Sequence, residues 1–143
     1  MAARILALAP HDSAAPARAV QWAVKGVAAR PGEACCHHTL AVAQYRARQF
    51  EAAEQSCRQS LKLAWGGHVL NWLVLAMVHQ RLGHDDQARQ WLNKAVQWID
   101  QAAPRQPSGT RPILPVPSWT DRLEVLLLRR EAEALLGREE KKN

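Results

Sequence analysis

The chain has 143 residues, of which 48% are hydrophobic, and its formal net charge at pH 7 is +6. This length suits one small domain and is short for a catalytic domain with a separate regulatory module. Ala and Leu dominate the apolar residues, which favours helices over sheets. The basic residues are dispersed rather than gathered in one block, so they indicate a solvated surface and no nucleic-acid partner.

The first 15 residues predict an irregular or incomplete N-terminus, because Pro10 and the following HDSAAP interrupt any helix. The apolar run before Pro10 is too short for the core of a signal peptide, and no uninterrupted apolar stretch is long enough to cross a membrane. The three cysteines, two of them adjacent, cannot form a disulfide scaffold. We therefore expect a cytoplasmic protein with no membrane partner.

Three segments of the chain can be laid over one another. Ala19, Ala53 and Ala88 occupy the same position in each, at intervals of 34 and 35 residues. A period of this length is typical of repeat proteins, and it predicts a repeat architecture even before individual motifs are considered. Small residues at such positions let two helices approach closely. The predicted helices span about residues 16–30, 33–47, 50–64, 69–82 and 85–101.

Two turns separate the helices within the complete repeats. Gly83 follows Leu82, the last apolar residue of its helix, and glycine suits the left-handed conformation that ends a helix. Asp85 is placed to cap the amides of the next helix. The middle turn departs from this pattern, because Arg48 stands where the third copy has glycine.

A proline-rich linker is predicted for residues 102–118, where five prolines prevent a helix. Ser118 or Thr120 can start a last helix, over residues 119–137, which ends at Gly137 before a charged tail at 138–143. We expect this helix to be the cap that closes the array. The side chains that recur at helical spacing are Leu123, Leu126, Leu127, Arg130, Ala134 and Leu135.

The third copy resembles the tetratricopeptide repeat, with Trp72, Gly83 and Ala88 among its key positions. The segments TLAVAQYRARQFEAAE, NWLVLAMVHQRLGHDDQARQWLNKAVQWID and LRREAEALLG are similar to the C-terminal repeat arrays of large bacterial kinase or WD-repeat proteins. The resemblance implies an all-α fold, in which antiparallel helix pairs stack as a short α-solenoid with a C-terminal capping helix. Its array covers residues 16–101, as a half repeat at 16–31 and full repeats at 34–65 and 69–101.

In this family the first helices of successive repeats line a concave groove that binds a peptide or a partner protein. The positions that face a ligand carry over to two helices of this chain, and they fall on Cys35, His38, Val42, Tyr45 and Arg46, and on Leu70, Leu73, Met77, Gln80 and Arg81. The implied groove has a largely apolar floor. Arg46 and Arg81 stand in equivalent places and would suit an acidic or C-terminal peptide.

No motif of the chain predicts catalysis or a cofactor. Gly66 and Gly67 lack the Lys and Ser/Thr of a phosphate-binding loop, and no nucleophile elbow is present. Cys57 falls on an internal packing position, where a small apolar side chain belongs in the core. The run from Cys35 to His38 contains zinc-ligand residue types, but only pairs such as Cys35 and His38 share a helix face.

The sequence therefore favours a non-catalytic scaffold module for protein–protein interaction. Its partner is a protein or peptide, and the two arginines suggest that this partner is acidic. An array this short can also expose an apolar end that a homodimer would bury. Two alternatives stay open. The chain is a detached regulatory tail of a Ser/Thr kinase or WD-repeat protein, or it binds a metal through the run from Cys35 to His38.

Overall fold

The computed structural model describes residues 15–102 and 114–140, and within these ranges it contains six helices and no strand. The all-α prediction is confirmed. Parts of three predicted segments lie outside the described residues. They are most of the irregular N-terminus, residues 103–113 of the linker and the last three residues of the tail. The helices are α1 Ala15–Ala29, α2 Ala34–Arg46, α3 Phe50–Lys62, α4 His68–Arg81, α5 Asp85–Ala102 and α6 Trp119–Glu140.

The contacts of the chain divide it into two compact units, Met1–Trp65 and Gly66–Asn143. The division falls at Gly66 and Gly67, where the sequence predicts the end of the second helix pair. In the first unit α2 packs against both α1 and α3. In the second unit α4 packs against α5 and α6, and α5 also contacts α6.

Small side chains lie where the paired helices meet. Ala41 of α2 and Ala53 of α3 have no exposed surface, and neither do Ala76 of α4 and Ala88 of α5. A larger side chain at these positions would hold the helix axes apart, because interiors are packed as densely as organic crystals. Ala19 of α1 is likewise fully buried. The three alanines that define the repeat period are therefore all fully buried.

Helix α4 is buried on all its sides. The side chains from Leu73 to Met77 have no exposed surface, and Val69 and Leu70 are equally covered. A helix that is apolar all round belongs in a core rather than at a surface. Each leucine covered in this way stabilises the fold by about 1.5–3 kcal/mol relative to leaving it exposed. No helix in the described ranges has both the length and the apolar character needed to cross a bilayer.

The turns after α2 and α4 have the same hydrogen bonds, 35 residues apart. In the first, the amide of Gln49 donates to the carbonyl of Gln44 at 2.9 Å and the amide of Arg48 donates to Tyr45 at 3.0 Å. In the second, His84 donates to His79 at 2.8 Å and Gly83 donates to Gln80 at 3.2 Å. This pair of bonds is the Schellman pattern that ends a helix. The two turns confirm the repeat period at the level of the backbone.

Both turns place one residue in the left-handed region. Gly83 has φ 77° and Arg48 has φ 63°, and Arg48 is the one non-glycine residue with positive φ in the described part of the chain. Glycine adopts this conformation freely, whereas a residue with a Cβ meets the following carbonyl oxygen. Arg48 therefore takes the backbone conformation that the repeat requires. This conformation costs Arg48 free energy that Gly83 does not lose, because glycine has no Cβ.

The last helix begins at Trp119, as predicted, but it ends later than predicted. Ser118 caps it, since the Ser118 hydroxyl accepts a hydrogen bond from the Asp121 amide at 3.1 Å. The helix continues through Gly137 to Glu140. Leu123, Leu126 and Leu127 are about half exposed. The opposite face is the one that packs, through Asp121, Glu124, Val125, Leu128, Ala132 and Leu136.

We expect Arg48→Gly to raise the free energy of unfolding by about 0.5–1 kcal/mol, because the left-handed conformation costs an L-residue roughly 1–2 kcal/mol and the greater freedom of unfolded glycine offsets part of it. Gly83→Ala should lower it by a similar amount. Urea denaturation of the full chain measures both. Gly32→Ala is the control, because Gly32 has no positive φ and a Cβ there meets nothing within 4 Å. Equal stability of Arg48→Gly and wild type would contradict the claim that Arg48 is strained by its positive φ.

Candidate functional site

The predicted groove residues of α2 separate into a buried and an accessible group. His38, Val42 and Tyr45 are at most 6% exposed, whereas Cys35 and Arg46 are partly exposed. The ring of His38 lies 5.4 Å from that of Trp65, measured between centroids. The three buried side chains therefore belong to the core of the first unit, and only the two ends of the predicted set are accessible to a ligand.

The predicted groove residues of α4 show the same division more sharply. Leu70, Leu73 and Met77 have no exposed surface at all. Gln80 is partly exposed and Arg81 is exposed. The predicted apolar floor is thus part of the core in this structure, because α4 is covered by its neighbours on every side. The apolar residues along the whole of α4, rather than along one stripe, were the sequence signal for this burial.

Arg46 and Arg81 occupy equivalent places, each as the last residue of its helix. They are 35 residues apart, like the two turns that follow them. A cation at a helix C-terminus is favoured by the partial negative charge of the last carbonyls. Arg46 also lies over the ring of Tyr45, with its Cζ atom 5.6 Å from the ring centroid. The two guanidinium groups belong to different compact units.

Polar side chains gather around the turn between α4 and α5. The amide of Gln80 donates to Asp85 Oδ1 at 3.2 Å, and the Nδ1 atoms of His79 and His84 are 3.2 Å apart. Asp85 is the first residue of α5 rather than a residue before it, and Asp86 follows it. Both carboxylates lie at the positive end of the α5 dipole, which favours their negative charge. The dipole and the Gln80 contact together account for the two acidic residues in this turn.

Four aromatic side chains and one lysine of the second unit form a cluster. The ammonium of Lys94 lies 4.5 Å from the ring centroid of Trp72 and 5.3 Å from that of Trp91. The ring of His68 meets Trp72 and Trp98 edge-on, at 4.7 and 5.2 Å. Trp91 and Trp98 lie on one helix face, as their spacing predicts, and both are partly buried. The spacing of Trp91 and Lys94 was the signal for the cation contact.

The residues from Cys35 to His38 make contacts within the first unit. His37 Nε2 lies 2.8 Å from the Pro31 carbonyl oxygen, to which it donates, and the ring of His38 packs on Trp65. Burial, followed by the neighbouring Cys35, raises the pKa of the Cys36 thiol. Across residues 15–102 and the described part of the last helix, no three His, Cys, Asp or Glu side chains come together as metal ligands would.

Cys57 is fully buried in α3. Burial raises the pKa of its thiol, so the thiol stays protonated at neutral pH. A protonated and inaccessible thiol is a poor nucleophile. Cys57 thus fits the packing role that its position predicts.

One comparison with known proteins gives a match. Residues 71–101 match the family model of the tetratricopeptide repeat, which covers most of α4 and all but one residue of α5. The second helix pair is therefore a repeat of the tetratricopeptide type. The first pair has the same buried alanines and the same turn 35 residues earlier. Searches of the curated proteins and of the solved structures found no significant match.

We expect a thiol reagent at neutral pH to label Cys35 and Cys36 in the native protein and to spare Cys57, because Cys57 has no exposed surface and its thiol is protonated. Mass spectrometry of the digested protein locates the label. In denaturant all three cysteines should react, which is the internal control. Native labelling of Cys57 as fast as the other two would contradict its place in the core.

Proposed function

We propose that the chain is a non-catalytic interaction module that binds a peptide or a partner protein. The repeat match over residues 71–101 is the observation that carries this proposal, because tetratricopeptide repeats are typically non-catalytic interaction domains. The second support is the equivalence of the α2–α3 and α4–α5 turns, which extends the repeat character beyond the matched residues.

The accessible part of the predicted groove determines the chemistry of the ligand. With six of its ten residues buried, the open positions are Cys35, Arg46, Gln80 and Arg81. A guanidinium group binds a carboxylate through two parallel hydrogen bonds, which an apolar floor cannot do. We therefore infer an acidic ligand rather than an apolar one. The net charge of +6 favours the approach of such a ligand from solution.

The buried residues of the predicted groove contribute indirectly. Tyr45 packs beneath Arg46, with its ring 5.8 Å from Phe50 at the start of the next helix. This contact fixes the end of α2 from which Arg46 extends. Leu73 and Met77 in the same way hold α4 in place behind Arg81. Preorganised side chains lose less conformational entropy on binding.

Two further expectations stay predictions. The similarity to the C-terminal arrays of kinase and WD-repeat proteins suggests a regulatory tail that acts on one such enzyme through the same binding chemistry. The cytoplasmic location is an expectation from the sequence. Neither the helices nor the repeat match bears on these two expectations.

The double charge reversal Arg46→Glu with Arg81→Glu tests the proposal. It should weaken binding of acidic partners at least about tenfold, since a hydrogen bond to a charged group contributes roughly 1.5–3 kcal/mol and about 1.4 kcal/mol is a factor of ten. Capture from native lysate, read by mass spectrometry, identifies acidic binders. Fluorescence anisotropy with peptides from those binders then gives the affinities.

The matched control is Arg18→Glu with Lys25→Glu, which reverses two exposed charges on α1 and changes the net charge equally. Circular dichroism should show the helical content of wild type in both variants. Loss of binding in both double variants would mean that net charge rather than the two arginines attracts the ligand. Unchanged binding in the Arg46 and Arg81 variant would exclude a role for either arginine in binding the ligand.

A further inference from the structure

Four of the six exposed large hydrophobic side chains among the described residues lie on α6. Trp119 is 71% exposed, Leu126 57%, Leu123 51% and Leu127 48%. The spacing of these four residues places them on one face of the helix, over its first nine residues. Single exposed apolar residues are ordinary at a surface, whereas a contiguous group of this kind marks an interaction site.

The fold of the second unit does not use this face. Helix α6 packs through the opposite side, where Val125 and Leu128 have no exposed surface. Arg129 fixes the same helix to α5 through an ion pair with Asp100 at 3.0 Å. The orientation of α6 is therefore set by contacts that leave Trp119 and the three leucines outward. Burying these four side chains requires a second surface.

The distribution of residues along this face favours a second copy of the same helix as that surface. The apolar residues occupy its N-terminal half, and the C-terminal half carries Arg130 and Ala134. In an antiparallel pair, Leu123 of each copy lies opposite Leu126 of the other, and Arg130 of each lies opposite Trp119 of the other. Each copy thereby covers the apolar half of its partner, and a guanidinium over an indole is a favourable cation–π contact.

A parallel pair of the same faces is disfavoured by charge. It would place Arg130 opposite Arg130 and align the two helix dipoles in the same direction. The antiparallel pair avoids both effects, and a two-fold axis makes such an interface self-complementary. We propose that the apolar face of α6 is a homodimer interface, in which two copies of this chain pair their α6 helices antiparallel with Leu123 opposite Leu126.

The size of the surface sets the expected strength of this dimer. Helix α6 has 22 residues and is about 33 Å long, and only its first half is apolar on this face. We expect a pair of such faces to bury less than the roughly 800 Å² per partner of a standard interface, which would make the dimer weak. The dimer should therefore dissociate in the micromolar range. It is separate from the binding of an acidic ligand and does not depend on Arg46 or Arg81.

Sedimentation velocity over a range of protein concentrations tests the dimer. Wild type should change from monomer to dimer as the concentration rises through the micromolar range, and Leu126→Glu should remain monomeric at the highest concentration. The control is Val24→Glu, which places the same charge on a residue of α1 with 49% exposure. It should dimerise like wild type. A monomeric wild type throughout, or a dimer unaffected by Leu126→Glu, overturns the proposal.

The register is tested by mixing two variants. Antiparallel pairing places the new carboxylate of a Leu123→Glu copy opposite the new ammonium of a Leu126→Lys copy, so the mixture should associate more strongly than either variant alone. In a parallel pair the two substituted positions are not opposite each other but about one turn apart along the axis, so the gain should be smaller. A mixture that associates no better than its components overturns the antiparallel register, and circular dichroism of each variant shows that it is folded.

Discussion

The close approach of two helices at small side chains is the constraint on which this structure depends. Ala41 of α2 and Ala88 of α5 have no exposed surface, and α2 packs on α3 as α4 packs on α5. Because the helices approach closely there, the larger residues around them interlock and the chain must turn sharply between the two helices. The left-handed residue of each turn, Arg48 or Gly83, follows from that requirement.

The sequence was sufficient to predict the helices and their turns, because these features depend on residues that are close together in the chain. Helix ends depend on nearby residues, so the predicted ends agree with the structure to within two residues up to the end of α5. The buried position of Cys57 also follows from local periodicity, since it lies one turn after Ala53 on the same face. The match over residues 71–101 falls on the copy in which these local signals are strongest.

The faces that pack or stay open were harder to predict, because tertiary contacts decide them. Helix α4 is apolar all round, so no sequence period distinguishes a groove floor at Leu73 and Met77 from a core. Helix α6 carries apolar residues on two sides, and the residues that recur at helical spacing in the sequence lie on the side with Leu126. The structure instead buries the side with Leu128, together with Glu124, which has its own polar interactions. Leucine count alone was misleading there.

With the predicted apolar floor buried, the two proposed binding surfaces lie at helix ends and on the open face of α6, and the helix pairing beneath them follows the register of the repeat. The most direct test of that register is Ala88→Trp, compared with Gln90→Trp at an exposed position of the same helix. The structure predicts that Ala88→Trp lowers the free energy of unfolding by about 1–3 kcal/mol or more, because it overpacks the crossing, while Gln90→Trp leaves it nearly unchanged. Equal stability of the two variants would contradict the helix pairing.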